Sequence, residues 1–139
     1  MRRTRCGLMI LACLALFFCG CGGGGIPRTA VSGSVSLDGQ PLQDGNILFI
    51  PMEEGPSAGG AIEGGRYQLD GEQGPSPGRY RVEIRAYRDT GRTERDELTG
   101  EAERLMTPII PPRYNRESEL EIELAPGVQN EFDFALHSE

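Results

Sequence analysis

Few side chains in this chain could carry out catalysis. Histidine occurs once, at His137, third from the C-terminus. A Ser–His–Asp triad would depend on that residue, and chain ends are usually poorly ordered. The alternating acids of Glu119 to Glu123 could supply paired carboxylates, but acid–base catalysis needs a carboxyl with a raised pKa. Acids that alternate along a strand are more typical of a solvated face, here with Arg81 and Arg85 as candidate partners.

Metal chemistry has equally little support in the sequence. All four cysteines lie within the first 21 residues, at positions 6, 13, 19 and 21. No D-x-D-x-D-G spacing predicts a calcium loop. We therefore predict that the protein is not an enzyme, with no catalytic residue, no metal site and no cofactor; a hydrolase is the third of three alternatives.

Ligand binding is easier to support from the residue types. Sugar-binding β domains commonly use exposed aromatic side chains, and without Trp only Tyr87 and Tyr114 could serve. Arg85 could add hydrogen bonds beside Tyr87. Arg85 and Tyr87 are therefore the candidate ligand contacts, and an extracellular carbohydrate-binding module is the second alternative. The competing interpretation is a tyrosine that merely covers a sheet edge.

Charge and composition narrow the class of protein further. The 139 residues include 14 basic residues, all Arg, and 21 acidic ones, for a net charge of −7. That balance argues against a nucleic-acid binder, which has to neutralise phosphates. The 20 Gly and 10 Pro residues disfavour a helical bundle and favour a turn-rich β protein.

The N-terminus has the pattern of an export signal. Arg2, Arg3 and Arg5 precede Leu8 to Cys19, twelve residues without charge. A membrane-spanning helix needs roughly 20 apolar residues, whereas the hydrophobic region of a signal peptide has ~7–15. We expect export. An ordinary cleaved signal and an uncleaved anchor remain alternatives to the lipoprotein signal considered next.

The end of this signal resembles the bacterial lipobox, in which an apolar residue, a spacer and a small residue precede the cysteine that is lipidated. The residues are Phe18-Cys19-Gly20-Cys21. Cys21 is the predicted lipidation site because Gly20 occupies the small position; Cys19 is the second choice. The predicted organisation is then a signal peptide at 1–20 and a Gly-rich tether at 21–28. Removal of 1–20 leaves 11 arginines and 21 acids, a net charge of −10.

The remaining residues predict one all-β domain at 29–137. Apolar residues alternate with polar ones from Val31 to Leu37 and again from Arg79 to Tyr87, which is the period of a half-buried strand. In the second run Glu83 is expected to face outward, and in a further short strand Tyr67 and Leu69 are expected to share one face. Closely spaced Gly, Pro and Asp turns separate about seven such strands. This predicts an antiparallel two-sheet Greek-key sandwich. Residues 89–107 lack the alternation and are predicted to be a charged loop insertion.

Five motifs in a fixed order resemble the carboxypeptidase regulatory-like domain. They are V-S-G-S-V-S-L-D-G-Q-P-L-Q-D-G-N-I-L-F-I-P, G-G-R-Y-Q-L-D, P-G-R-Y-R-V-E-I, P-P-R-Y-N-R-E-S-E-L-E-I-E-L and F-D-F-A-L. The resemblance covers about Thr29 to His137 and implies a transthyretin-like sandwich without peptidase activity. The related hydroxyisourate hydrolase needs several histidines and a C-terminal Y-R-G-S, which this chain lacks.

The motif residues have structural interpretations. Gly33 is expected where a larger residue would crowd its neighbours, and Asp38-Gly39 and Asp44-Gly45 are expected to form turns with positive φ. The segment Pro111–Asn115 is expected to be an extended edge. The hydroxyl of Tyr114 is expected to bond to backbone, as in a tyrosine corner.

Together these features predict a bacterial lipoprotein anchored to a membrane or cell surface. Its domain would be a non-catalytic binding or structural module of the cell envelope. The expected partners are the membrane, through the lipid, and envelope proteins or surface glycans; no nucleic acid is expected.

Overall fold

The computed structural model describes residues 25–139, and its secondary structure is almost entirely β. The predicted signal peptide and both candidate lipidation sites, Cys19 and Cys21, lie outside the described residues. Within the described part of the chain, no helix is long and apolar enough to cross a membrane. The all-β class predicted from the sequence is confirmed.

The strands follow one another at short intervals, as the turn residues predict. They are β1 (Val31–Leu37), β2 (Gln40–Pro41), β3 (Asp44–Pro51), β4 (Ala58–Glu63), β5 (Arg66–Leu69), β6 (Gly78–Arg85), β7 (Tyr87–Arg95), β8 (Ala102–Pro108), β9 (Glu121–Leu124), β10 (Asn130–Glu131) and β11 (Phe134–Leu136). A short 3-10 helix, Pro112–Tyr114, lies between β8 and β9.

Nine strands form one hydrogen-bonded sheet that curls around the core. The order along it is β10-β1-β5-β4-β3-β6-β9, and β2 and β11 pair with other parts of β1. Most neighbours are antiparallel, but β1 runs parallel to β10 and β11, with Val31 opposite Asn130 and Val35 opposite Phe134. The first and last strands therefore close the fold together.

The predicted inward faces form the core. In β1 the buried side chains are Val31 and Val35, and in β6 they are Tyr80, Val82 and Ile84. The rings of Phe49 and Tyr67 meet with their centroids 6.0 Å apart. The two-residue period placed these side chains correctly because each strand has one face against the core and one toward solvent.

Two local predictions are wrong. Asp44 and Gly45 begin β3 and pair with Glu63 and Ile62 in place of forming a turn. The segment predicted to be extended at Pro111–Asn115 contains the 3-10 helix, which starts at a proline, where the missing N–H has no helical partner to lose. Asp38 and Gly39 do form the expected turn, with φ of 51° and 79°.

The prediction of a charged loop at 89–107 is also wrong, because β7 and β8 pair there as an antiparallel hairpin. Alternation is absent because every residue of both strands is exposed, so no face of the hairpin needs apolar residues. Gly100, at φ 72°, takes the left-handed conformation that the connecting turn requires. An ion pair of 3.2 Å between Arg104 and Asp89 adds a contact between the strands.

The docking of the C-terminal strands on β1 depends on a close backbone approach at Gly33. A Cβ at this position would lie 1.8 Å from the carbonyl oxygen of Phe132 and 2.9 Å from the hydroxyl of Tyr67. That hydroxyl donates to the same carbonyl at 2.8 Å, and the Phe132 N–H donates to Ser32. The expected crowding at Gly33 is confirmed, and its source is the chain segment that leads into β11.

The two ends of β1 define two poles of the domain. At the N-terminal pole, the Thr29 N–H donates to Pro75 and the Asn130 side chain donates to Thr29. At the opposite end, which we call the groove pole, the Asp38 N–H donates to Leu136 and the Asp38 carboxylate accepts from the Ser138 N–H. A seven-residue strand separates the poles by about 23 Å.

Replacement of Gly33 by Ala is expected to lower the free energy of unfolding by about 2–4 kcal/mol, because the added methyl group overlaps backbone that cannot move freely. Urea denaturation followed by circular dichroism measures the change. Gly71→Ala is the matched control, since a Cβ there meets nothing within 4 Å. Equal stability of the two variants would contradict the role given to Gly33.

Candidate functional site

A groove of about 630 Å³ lies at the groove pole. Three separate stretches of chain form it: the end of β6 with the start of β7, the segment from β8 through the 3-10 helix, and the C-terminus. Its lining residues are Arg85, Ala86, Tyr87, Pro108, Ile109, Ile110, Pro111, Pro112, Asn115, Arg116 and Ser138. Both predicted contacts, Arg85 and Tyr87, thus lie in one groove.

Arg85 is held in place by a buried carboxylate. Glu83 was predicted to face solvent, but the residue is only 4% exposed. Its two carboxylate oxygens accept separately from Arg81 at 3.0 Å and Arg85 at 2.8 Å. Residues two apart on a strand share a face, so both guanidinium groups can reach it. Each has one nitrogen at the carboxylate, and their side chains stay about half exposed.

The opposite wall is fixed by its own hydrogen bonds. The Ile109 N–H donates to the carbonyl of Ala86 at 3.0 Å, which joins this wall to the end of β6. Asn115 donates through Nδ2 to the carbonyls of Ile110 and Pro111, both at 3.2 Å. Because these bonds and three prolines restrict the segment, the wall is largely formed before any ligand arrives.

The groove is apolar at its wall and cationic at its rim. Prolines and isoleucines line much of the wall, and the charged lining residues are Arg85 and Arg116. The Arg116 side chain is 74% exposed, 3.6 Å from the neighbouring Glu117. Tyr87 is 50% exposed and offers an aromatic face. Such a surface suits a ligand with an apolar part and an acidic or hydroxyl-rich part.

Tyr114 lies beside the groove and has a structural role. Its hydroxyl accepts from the His137 N–H at 3.3 Å, so the expected backbone bond is confirmed. The Arg113 guanidinium lies 5.0 Å from the ring centroid. Hydrogen bonding to Arg113 is the main cause that lowers the pKa of the Tyr114 hydroxyl. Tyr87 is therefore the aromatic side chain of the groove itself.

The predicted acidic strand face pairs with a different arginine from those expected. Glu121 pairs with Arg79 at 3.0 Å, so Arg81 and Arg85 are not its partners as predicted; both pair with Glu83 instead. Residues 25–139 contain no group of three His, Cys, Asp or Glu side chains arranged to hold a metal ion.

Sequence reasoning missed Asn115, Arg116 and the Ile109–Ile110 wall. Asn115 and Arg116 follow the 3-10 helix, whereas Ile109 and Ile110 precede it and are held beside the end of β6 by the bond from the Ile109 N–H to Ala86. The P-P-R-Y-N run was a usable pattern, since Pro at the first helical turn followed by Asn is typical of a short capped turn. The burial of Glu83 also had a pattern, R-x-E-x-R on one strand face.

Comparison with known proteins adds little. No family model and no curated protein matches the chain. Among solved structures, the chain is similar to a crystal structure of a 9R-lipoxygenase from Cyanothece, with 14% sequence identity and a TM-score of 0.40. The match covers 80% of this chain and 16% of the lipoxygenase.

Glu83→Gln is expected to lower the free energy of unfolding by about 1–3 kcal/mol, because two guanidinium groups lose their charged acceptor. Chemical denaturation measures the loss. Glu121→Gln removes an exposed ion pair and should cost less than about 1 kcal/mol. If the two variants were equally stable, Glu83 would not be the group that fixes Arg85.

Proposed function

We propose that the chain is a membrane-anchored bacterial envelope lipoprotein whose β domain is a non-catalytic binding or structural module. The observation that carries this proposal is the separation of the two poles. The chain enters the domain at Thr29, at the N-terminal pole, whereas Arg85, Tyr87 and the groove lie at the other end of β1. A lipid on Cys21 would leave the groove open to a partner.

The predicted tether has a suitable length and composition. A chain of eight residues spans about 28 Å at most, and the four consecutive glycines after Cys21 are the composition expected of a tether. The several acyl chains of a lipoprotein hold it stably, since each buried methylene contributes ~0.8 kcal/mol. The anchor therefore needs no membrane-spanning helix.

We include a more specific fold in this proposal. A transthyretin-like, two-sheet Greek-key sandwich of the carboxypeptidase regulatory-like kind is supported by the order of the five motifs. The crowding at Gly33 and the Asp38-Gly39 turn also support it. Such a domain serves as an accessory module and brings no active site, which agrees with the composition of the groove.

An extracellular carbohydrate-binding module is the second candidate. The observation in its favour is that Arg85 and Tyr87 share a groove with Ser138, whose hydroxyl can hydrogen-bond to the hydroxyl groups of a sugar. An aromatic face with flanking polar groups is a common way to orient a small ligand.

Anchoring is tested by the mass of the mature N-terminus from cells that express the full chain. The expected chain starts at Cys21 and carries acyl mass. Cys21→Ser should abolish both cleavage at this position and the acyl mass, while Cys19→Ser should leave them unchanged. A mature chain without acyl mass, or one lipidated at Cys19, would contradict the assignment.

Carbohydrate binding is tested with a glycan array and a polysaccharide pull-down. If the groove binds sugars, Tyr87→Ala should reduce the bound signal about tenfold, because stacking on the ring is lost. Val128→Ala, an exposed apolar residue at the N-terminal pole, is the control and should bind normally. Absence of Tyr87-dependent binding to any glycan would exclude this candidate.

A further inference from the structure

The β7–β8 hairpin carries most of the bare apolar side chains of the domain. Among the described residues, seven large hydrophobic side chains are exposed, and four of them lie on this hairpin. They are Tyr87, Leu98, Leu105 and Met106. A two-stranded hairpin without a packing partner is marginally stable in water. The hairpin thus exposes an apolar surface, and contact with another molecule would stabilise it.

The tip of the hairpin, residues 94–103, is acidic, and hydrogen bonds fix the conformation of its turn. It contains five acidic residues and one Arg. The Asp96 carboxylate accepts from the Leu98 and Thr99 N–H groups at 2.7 and 2.8 Å, and these bonds lower the pKa of Asp96. Leu98 is held at the turn with 96% of its surface exposed.

The base of the hairpin has the opposite character. Tyr87, the first residue of β7, pairs with Pro108, the last residue of β8, and both also line the groove. The groove rim carries Arg85 and Arg116, and its wall is apolar. One end of the hairpin thus presents acids around a leucine, and the other end presents arginines around an apolar wall.

These two ends are complementary, and a two-fold axis would bring them together. When two hairpins lie side by side in opposite directions, the tip of each one meets the base of the other. We propose that the groove binds the hairpin tip of a second copy of this chain, in a reciprocal dimer, with Leu98 against the apolar wall and the tip acids beside Arg116. This deepens the proposed function, on which it rests, by naming the partner of the groove.

The structure of the hairpin favours a contact made by its faces and its tip over pairing along its strand edges. The ladder shifts register between Asp89 and Thr93, and Pro108 lacks an N–H. Irregularities and prolines of this kind protect edges from adding strands. At Glu94 and Glu103, two like charges lie directly opposite each other. Such a pair is destabilising alone and would be relieved by cations from a partner.

The first test is co-purification of two differently tagged full-length copies, expressed together and solubilised from membranes in detergent. Wild-type copies are expected to co-purify. Leu98→Asp should reduce co-purification about fivefold or more, whereas Val128→Asp, at an exposed apolar residue of the N-terminal pole, should not. Absence of co-purification by the wild type, or an equal effect of the two variants, would overturn the dimer.

Charge exchange tests which surfaces meet. Glu97→Arg at the tip and Arg116→Glu at the groove should each reduce co-purification of like copies. A Glu97→Arg copy expressed with an Arg116→Glu copy should regain it, since both contacts then join opposite charges. Arg66→Glu, on β5 away from the groove, is the charge-matched control. Failure of the mixed pair to recover would overturn the tip-to-groove contact.

A photo-crosslinker at position 98 identifies the molecule that the hairpin tip contacts. The expected adduct joins it to residues 108–116 of another copy. An adduct to a different envelope protein, with none to another copy, would assign the hairpin tip to that partner and overturn the dimer. Because the readout is contact between copies, it is independent of the N-terminal mass that tests anchoring.

Discussion

The fold depends on the place where the chain returns to its own first strand. β1 forms hydrogen bonds along both edges, antiparallel to β5 and parallel to β10 and β11. The backbone of Phe132 occupies the space that a side chain at position 33 would need. This contact joins the two ends of the domain and places Ser138 beside Asp38. The groove exists because the C-terminus is held there.

The two poles of the domain differ in the groups that they present. The N-terminal pole is fixed by the Asn130 side chain, which donates to Thr29 and accepts from the Ala125 N–H. The groove pole carries the arginines, the exposed tyrosine and the hairpin. Charge also differs between the two ends of the hairpin, with acids at its tip and the groove arginines at its base. A tethered domain with this arrangement presents its binding surface away from its point of attachment.

Sequence reasoning succeeded where burial imposes a pattern and failed where it does not. The inward residues of β1, β5 and β6 could be predicted, because one face of each strand meets the core. The hairpin could not, since both of its faces meet solvent and only local hydrogen bonds define it. Glu83 was misplaced because alternation predicts direction, whereas its burial comes from two flanking arginines. Arg85 and Tyr87 do line one groove, but the wall opposite them comes from a segment distant in sequence.

The parallel pairing of β1 with the C-terminal strands also affects how the molecule folds. Ser34 meets Asp133 across 99 positions of sequence, so the edge of β1 stays unpaired until nearly the whole chain has been synthesised. Contacts of such long range slow the approach to the native state. Removal of the last ten residues, which include β10 and β11, would therefore leave the N–H and C=O groups along that edge of β1 without partners.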